Sequence, residues 1–128
     1  MNATLFLRII AAILLAFGAI YLLNPMLLAG RAEISAAPSG VTDIRATYGG
    51  FQIGFAIFLF WACAAEDTIK PALVATMVTF ASVGLARLFG VVVDGELSGF
   101  NQIGLAFEAV LTLVCAIYLF AQKRARPQ

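Results

Sequence analysis

The chain has 128 residues, of which 62% are hydrophobic and only 12% are charged, and its formal net charge is +1. The charged fraction is about half that of an average soluble domain, which excludes an ordinary soluble protein, and a charge so close to neutral gives no basis for a nucleic-acid partner. Histidine is absent, and Cys63 and Cys115 each stand alone. The sequence therefore indicates no metal site, no cofactor and no thiol redox pair.

Four apolar segments predict four transmembrane helices, at about residues 4–23, 46–65, 71–93 and 101–121. A helix needs roughly 20 apolar residues to cross the hydrocarbon core of a bilayer. The first segment reaches that length if Arg8 lies at the membrane boundary and extends its guanidinium to the headgroups. The alternative interpretation of this segment is a signal peptide with Arg8 in its charged region.

The connections between these segments predict how the helices are arranged. A long connection, 24–44, begins with Asn24-Pro25, while 66–70 and 94–100 are short. Pro71 suits the first turn of the third helix, because proline lacks an N–H that would have no partner there. Short connections make neighbouring helices antiparallel. We therefore predict an all-α polytopic membrane protein, a four-helix antiparallel bundle that forms a single domain over residues 1–128.

Basic residues predict the orientation, because Lys and Arg are enriched on the cytoplasmic side of a membrane. Arg31 and Arg45 lie on one side of the predicted bundle. The other side has more, namely Arg8, Lys70, Lys123, Arg124 and Arg126. We expect a multi-pass protein of the cell inner membrane with both termini in the cytoplasm.

A short internal repeat links the two halves of the chain. Gln-Ile-Gly-Phe-Ala at 52–56 recurs as Gln-Ile-Gly-Leu-Ala at 102–106, and Phe-Gly at 17–18 recurs at 89–90. The offsets are 50 and 72 residues, so the two motifs lie 22 residues further apart in the first half of the chain than in the second. A duplicated helical hairpin would leave this pattern. The alternative is chance similarity within an apolar sequence.

Polar residues inside the predicted spans are the candidates for function. Three pairs are spaced seven residues apart, nearly two helical turns, so both members of each pair lie on one face of their helix. The pairs are Arg45 with Gln52, Arg87 with Asp94, and Asn101 with Glu108, and Tyr48 lies on the face of the first pair.

One member of each pair lies deeper in the predicted membrane than the other. The deeper residues, Gln52, Arg87 and Glu108, share a depth. A charge at mid-membrane costs roughly 2.5 kcal/mol or more and normally faces a partner inside the bundle. We expect an ion pair between Arg87 and Glu108, with hydrogen bonds from Gln52, and with Arg45, Asp94 and Glu96 around an outward-facing mouth.

Two interpretations of this polar cluster are open. It is either a structural clasp that holds the helices in register, or a cavity that binds a lipid-like or quinone-like molecule or another small amphiphile. Membrane lipids are expected partners, and the chain could also serve as an accessory subunit of a larger membrane complex. Less favoured alternatives are a membrane enzyme with Glu108 as a catalytic acid or base and a transporter of protons or small ions.

Glycines in two spans are candidates for helix packing. Gly50 and Gly54 form a GxxxG spacing next to Gly49, and Gly90 lies in the third span. Small residues allow the backbones of two helices to approach closely. The partner of the GxxxG surface is either another helix of the same chain or a second copy in a homo-oligomer.

Several of these residues together resemble a known family. The run Arg-Ala-Thr-Tyr-Gly-Gly at 45–50, Ala-Arg-Leu-Phe-Gly at 86–90, Asp94-Gly95 and Glu108 is similar to an uncharacterised family of four-span bacterial membrane proteins, the domain of unknown function number 4345. More distantly it resembles the DoxX-like group of small four-helix membrane proteins. The resemblance implies the four-helix fold and no agreed activity. Some DoxX-like proteins are linked to thiol or quinone redox work, but this chain lacks paired cysteines.

Overall fold

The computed structural model describes residues 2–124 and, among them, the side chains of residues 2–122. All regular elements in this part of the chain are helical, which confirms the predicted all-α class. Among the basic residues that predict the orientation, Arg126 lies outside the described residues, and the side chains of Lys123 and Arg124 lie outside the described side chains. The helices are α1 (Ala3–Leu23), α2 (Pro25–Ala29), α3 (Pro38–Ile44), α4 (Phe51–Ala62), α5 (Glu66–Asp94) and α6 (Gly99–Arg124).

Three helices are long and apolar enough to cross a membrane. They are α1, α5 and the part of α6 from Gly99 to Gln122. The fourth predicted span has a different construction, since α4 has only 12 residues and follows a π-helical turn over Arg45–Gly50. Ile44, which precedes the turn, and Gly50, which ends it, both have right-handed helical backbone angles. Thus α3, the π turn and α4 form one uninterrupted helical run.

The third predicted span begins earlier than expected. Helix α5 starts at Glu66 rather than Pro71, and Pro71 lies inside it. Proline removes the hydrogen bond to the carbonyl four residues earlier, here Asp67. Asp67 is exposed in the first turn of α5, so water can satisfy its carbonyl and the helix continues. The expected connection at 66–70 is therefore helical, and the joint between α4 and α5 shortens to residues 63–65.

The chain divides between Glu66 and Asp67 into two compact units. In the first, α1 packs antiparallel against the π turn and α4. Thr4 lies opposite Cys63 at one end, where the Cys63 thiol donates to the Thr4 carbonyl at 3.7 Å. Leu22 lies opposite Arg45 at the other end. The antiparallel pair of α1 and α4 is therefore the centre of the first unit.

Glycine permits the close approach within this first pair. A Cβ added at Gly18 would lie 2.8 Å from Ile53 Cγ1 and 3.0 Å from the Gly49 carbonyl oxygen. A Cβ added at Gly49 would lie 3.1 Å from the Leu22 nitrogen. Both contacts involve backbone atoms, so α1 and the π turn touch main chain to main chain.

Arginines cover the C-terminal ends of both helices in the first unit. Arg45 Nε donates to the Leu22 carbonyl at 3.2 Å, in the last turn of α1. Arg8 Nη2 makes a longer contact of 3.5 Å to the Cys63 carbonyl, just past α4. The last carbonyls of a helix have no partner within it, and cations are favourable there. Arg8 of α1 thus binds a carbonyl at the end of α4, and Arg45 of the π turn binds a carbonyl at the end of α1.

The second unit is the antiparallel pair of α5 and α6. Gly95 adopts φ +72° and donates its N–H to the Val91 carbonyl at 3.0 Å, which ends α5 with a left-handed glycine. Ser98 then begins α6, because its Oγ accepts from the Asn101 N–H at 3.3 Å. Turn residues read from the sequence therefore explain the tight connection between these helices.

The two units share a register under the offsets of the sequence repeat. In the second unit Gly84 lies beside Glu108 and Gly104 beside Arg87. Subtracting 72 from each α5 residue and 50 from each α6 residue gives the equivalent positions in the first unit, 12 with 58 and 15 with 54. These positions match, to within two residues, the antiparallel register of the Gly18 contact with Ile53. Two antiparallel helices can pair in many registers, so this agreement favours duplication over chance similarity.

Candidate functional site

A buried ion pair joins α5 to α6. Arg87 Nη2 lies 2.7 Å from Glu108 Oε1, and Arg87 Nε lies 3.1 Å and 3.2 Å from Oε1 and Oε2. Glu108 is only 4% exposed, whereas the Arg87 side chain is 25% exposed. The predicted ion pair thus forms as a charge-assisted, two-nitrogen contact, which is the strongest geometry available to these groups.

Asn101 completes the cluster from the first turns of α6. Arg87 Nη1 donates to Asn101 Oδ1 at 3.0 Å. A guanidinium has donors only, so the oxygen of the amide must face Arg87 and the NH2 group must point away. We call Arg87, Asn101 and Glu108 the polar triad.

Two glycines that the sequence did not single out as site residues make room for the triad. A Cβ at Gly104 would lie 2.8 Å from Arg87 Cζ and 2.9 Å from Nε, so the guanidinium lies directly on the α6 backbone. A Cβ at Gly84 would lie 3.4 Å from Glu108 Cβ and 3.5 Å from Oε2. A signal was present in the sequence, since Gly104 lies four residues before Glu108 and belongs to the internal repeat.

Of the other predicted polar residues, Arg45, Tyr48 and Gln52 belong to the first unit and Asp94 belongs to the second. In the first unit, Arg45 binds the end of α1, and Tyr48 stacks on Tyr21 with ring centroids 5.3 Å apart. Gln52 Oε1 is buried and accepts no hydrogen bond from the described residues. The predicted contribution of Gln52 to the triad would join the two units and stays a prediction. Asp94 is exposed at the end of α5.

The predicted packing glycines differ from one another. Gly49 is buried against α1, as described above. Within the first unit, a Cβ at Gly50 or Gly54 would meet nothing within 4 Å, so the expected packing partner of the GxxxG spacing stays a prediction. Gly90 has a single ordinary neighbour, Asp94 Oδ2 at 3.8 Å from its added Cβ, and this residue belongs to the same helix. Periodicity identified a small-residue face without showing that it had a partner.

The fold and the triad together define a class of protein. Proteins of this class are all-helical and have apolar helices long enough to span a membrane, and a pair of opposite charges joins two of those helices. The chain belongs to the family described as Domain of unknown function (DUF4345), whose family model matches residues 3–119. No curated protein and no solved structure is similar enough to the chain to count as a match. The distant resemblance to the DoxX-like group stays a prediction.

Proposed function

We propose that this chain is a small protein of the cell inner membrane whose polar triad binds a lipid-like or quinone-like molecule. The observation that carries the proposal is the unequal burial of the ion pair, with Glu108 at 4% and the Arg87 side chain at 25% exposure. A structural clasp does not need to be reached from outside, whereas a binding site must be accessible to its ligand. The partly exposed triad offers a ligand a polar anchor within an apolar helix pair.

The membrane arrangement in this proposal has four spans and cytoplasmic termini. Helices α1, α5 and α6 provide three of the spans. The fourth is the uninterrupted run of α3, the π turn and α4, of which α4 alone has 12 residues and is too short to cross a core of about 30 Å. Basic residues favour this orientation, because five are predicted near the inner ends and two near the outer ends: Arg8, Lys70, Lys123, Arg124 and Arg126 against Arg31 and Arg45.

The geometry of Glu108 supports binding over acid–base catalysis. Both carboxylate oxygens accept from Arg87. With both oxygens engaged by the guanidinium, the carboxylate acts within the triad as the acceptor that positions Arg87. Binding is therefore the function that the triad supports best, with the role of accessory subunit as the competing outcome.

The test is native mass spectrometry of the protein extracted gently from its own membranes. Wild type is compared with Glu108→Gln, and Glu66→Gln is the matched control because Glu66 is an exposed carboxylate at the start of α5. We expect a small molecule bound to wild type and to Glu66→Gln that is lost from Glu108→Gln. Wild type that carries only a protein partner would make the chain an accessory subunit, and bare wild type would make the triad a clasp.

A further inference from the structure

We propose that the triad selects an uncharged carbonyl group, which accepts a hydrogen bond from Nδ2 of Asn101, and that it rejects carboxylate and phosphate headgroups. This inference rests on the proposed binding function and specifies the chemical class of its ligand. It follows from two features of the triad, its charge balance and the orientation of one amide.

The charge balance excludes an anion. The Arg87 guanidinium lies 2.7 Å from Glu108 Oε1 and within 3.2 Å of Oε2, so its positive charge is matched within the triad. An anionic headgroup would have to share the guanidinium with a buried carboxylate, and two negative charges at one low-dielectric site repel strongly. Arg87 therefore serves to orient its neighbours and does not act as an anion receptor.

The amide supplies the donor. Asn101 Oδ1 accepts from Arg87 Nη1 at 3.0 Å, which fixes the NH2 group on the side away from the guanidinium. In the part of the chain that the structure describes, Nδ2 of Asn101 has no acceptor. The residue is partly exposed, so a ligand atom can reach it. An NH2 group needs an acceptor with a lone pair, and an uncharged carbonyl oxygen supplies one without adding charge.

The position of Asn101 favours the same kind of group. It is the third residue of α6, a helix of 26 residues. Partial positive charge at a helix N-terminus favours an electron-rich ligand atom, whether charged or not, so the discrimination against anions comes from the charge balance of the triad. Ser98 already satisfies the Asn101 backbone N–H through its Oγ, at 3.3 Å, so the side-chain amide is the donor that Asn101 itself keeps for a ligand.

Two membrane components carry such a carbonyl on an apolar body, a quinone and an ester-linked neutral lipid. Equilibrium binding to the purified full chain in detergent is measured with four probes of similar chain length: a ubiquinone analogue, a diacylglycerol, a fatty acid and a phosphatidic acid. The variants are Asn101→Leu and Asn101→Asp. The matched control is Gln102→Leu, because Gln102 is the adjacent exposed amide and donates to the Leu97 carbonyl of its own turn.

We expect wild type to bind at least one uncharged probe about tenfold more tightly than either anionic probe, and Asn101→Leu to lose about tenfold in that affinity. Asn101→Asp keeps an oxygen for Arg87 but has no NH2, so it should show the same loss of affinity, and its carboxylate should also lower stability because it shares the guanidinium with Glu108. Gln102→Leu should bind as wild type does. Preference for the ubiquinone analogue or for diacylglycerol identifies the source of the carbonyl, and either supports the inference.

Two results overturn the inference while leaving the proposed binding function in place. One is anionic probes that bind wild type as tightly as the uncharged ones. The other is unchanged affinity in a folded Asn101→Asp, with folding checked by circular dichroism. Wild type that binds none of the four probes and retains no small molecule from its own membranes overturns both the inference and the proposed function.

Discussion

Arg87 is fixed from three directions, which explains how one side chain can hold its position between two helices. Glu108 binds Nε and Nη2, Asn101 binds Nη1, and Gly104 lets the guanidinium lie on the backbone of α6. Long side chains lose roughly 2 kcal/mol of rotamer freedom when they are held in one geometry. The charge-assisted hydrogen bonds must offset that loss. They can do so only while the guanidinium stays in its present position against the α6 backbone at Gly104.

Gly104→Ala tests this positioning. The new Cβ would lie 2.8 Å from Arg87 Cζ, so the guanidinium must shift, and overpacking of this kind costs about 1–3 kcal/mol. We expect a lower free energy of unfolding and weaker ligand retention. Gly54→Ala is the matched control, because Gly54 is the equivalent residue of the internal repeat and its added Cβ would meet nothing. Equal effects of the two substitutions, measured by unfolding in detergent, would contradict the described contact.

The ion pair itself should be replaceable for stability but not for binding. Removing one partner leaves a buried charge and costs about 3–5 kcal/mol, whereas apolar replacement of both is often neutral. At the equivalent positions the first unit carries Leu15 and Phe58. We therefore expect the double variant Arg87→Leu/Glu108→Leu to unfold at higher denaturant concentration than either single variant. A double variant as unstable as the single ones would make the pair a net contributor to stability.

At the scale of the helical elements, glycine decides where helices meet. Gly18 and Gly49 bring the backbones of α1 and the π turn together, while the neighbouring Gly50 has open space beside it. A π turn inserts an extra residue into a helix and often marks a functional position. Here it places the buried Gly49 against α1 and leaves the half-exposed Tyr48 stacked on Tyr21.

Gly49→Ala and Gly50→Ala form a matched pair for this interface. The added methyl at Gly49 would meet backbone atoms of Leu22 and Gly18 at 3.1 Å and 3.2 Å, which cannot move without shifting α1. We expect Gly49→Ala to destabilise the chain by about 1–3 kcal/mol. Gly50→Ala should be neutral or slightly stabilising, since alanine favours helix. The free energy of unfolding in detergent checks both, and a tolerated Gly49→Ala would contradict the close approach.

Helix positions were more predictable than helix boundaries. Hydrophobic length gave α1, α5 and α6 to within a few residues, because a bilayer imposes that length. The start of α5 at Glu66 was missed, because an early proline was taken as the first helical residue although a helix can begin before it. The π turn was also missed, since a run of polar and glycine residues at 45–50 has no periodicity that distinguishes it from an α-helix.

At the scale of the whole molecule, the described residues form two compact units, each built on an antiparallel helix pair, and the pair of the second unit carries an ion pair between its helices. If the pairs arose by duplication, the common ancestor was one helical hairpin and the polar triad distinguishes its second copy. The first unit uses its arginines at helix ends, where Arg8 and Arg45 satisfy carbonyls. The second uses Arg87 within the helix pair.

The predicted topology can be tested with single cysteines. Ser35→Cys and Glu96→Cys place a thiol at exposed positions of the two outer connections, and Asp67→Cys places one at an exposed inner position. A membrane-impermeant maleimide added to intact spheroplasts should label the first two and should label Asp67→Cys only after lysis. Wild type controls for Cys63 and Cys115, which are buried. Labelling of Asp67→Cys in intact spheroplasts would place the termini outside.

The sequence predicted the ion pair but not its surroundings, for a physical reason. A charge within an apolar helix needs a partner, and only Glu108 matched Arg87 in sign and depth. Helical spacing cannot show which glycine faces a guanidinium, because that depends on the rotation of α6 about its axis. Gly104 and the orientation of the Asn101 amide therefore required the structure.

The central claim is that the triad binds a small molecule, and the most direct test uses a variant that folds without it. Native mass spectrometry is applied to wild type and to Arg87→Leu/Glu108→Leu, both extracted gently from their own membranes and both checked for helical content. The account predicts a small molecule on wild type that is missing from the folded double variant. The same molecule retained by both proteins would contradict it, because binding would then be independent of the triad.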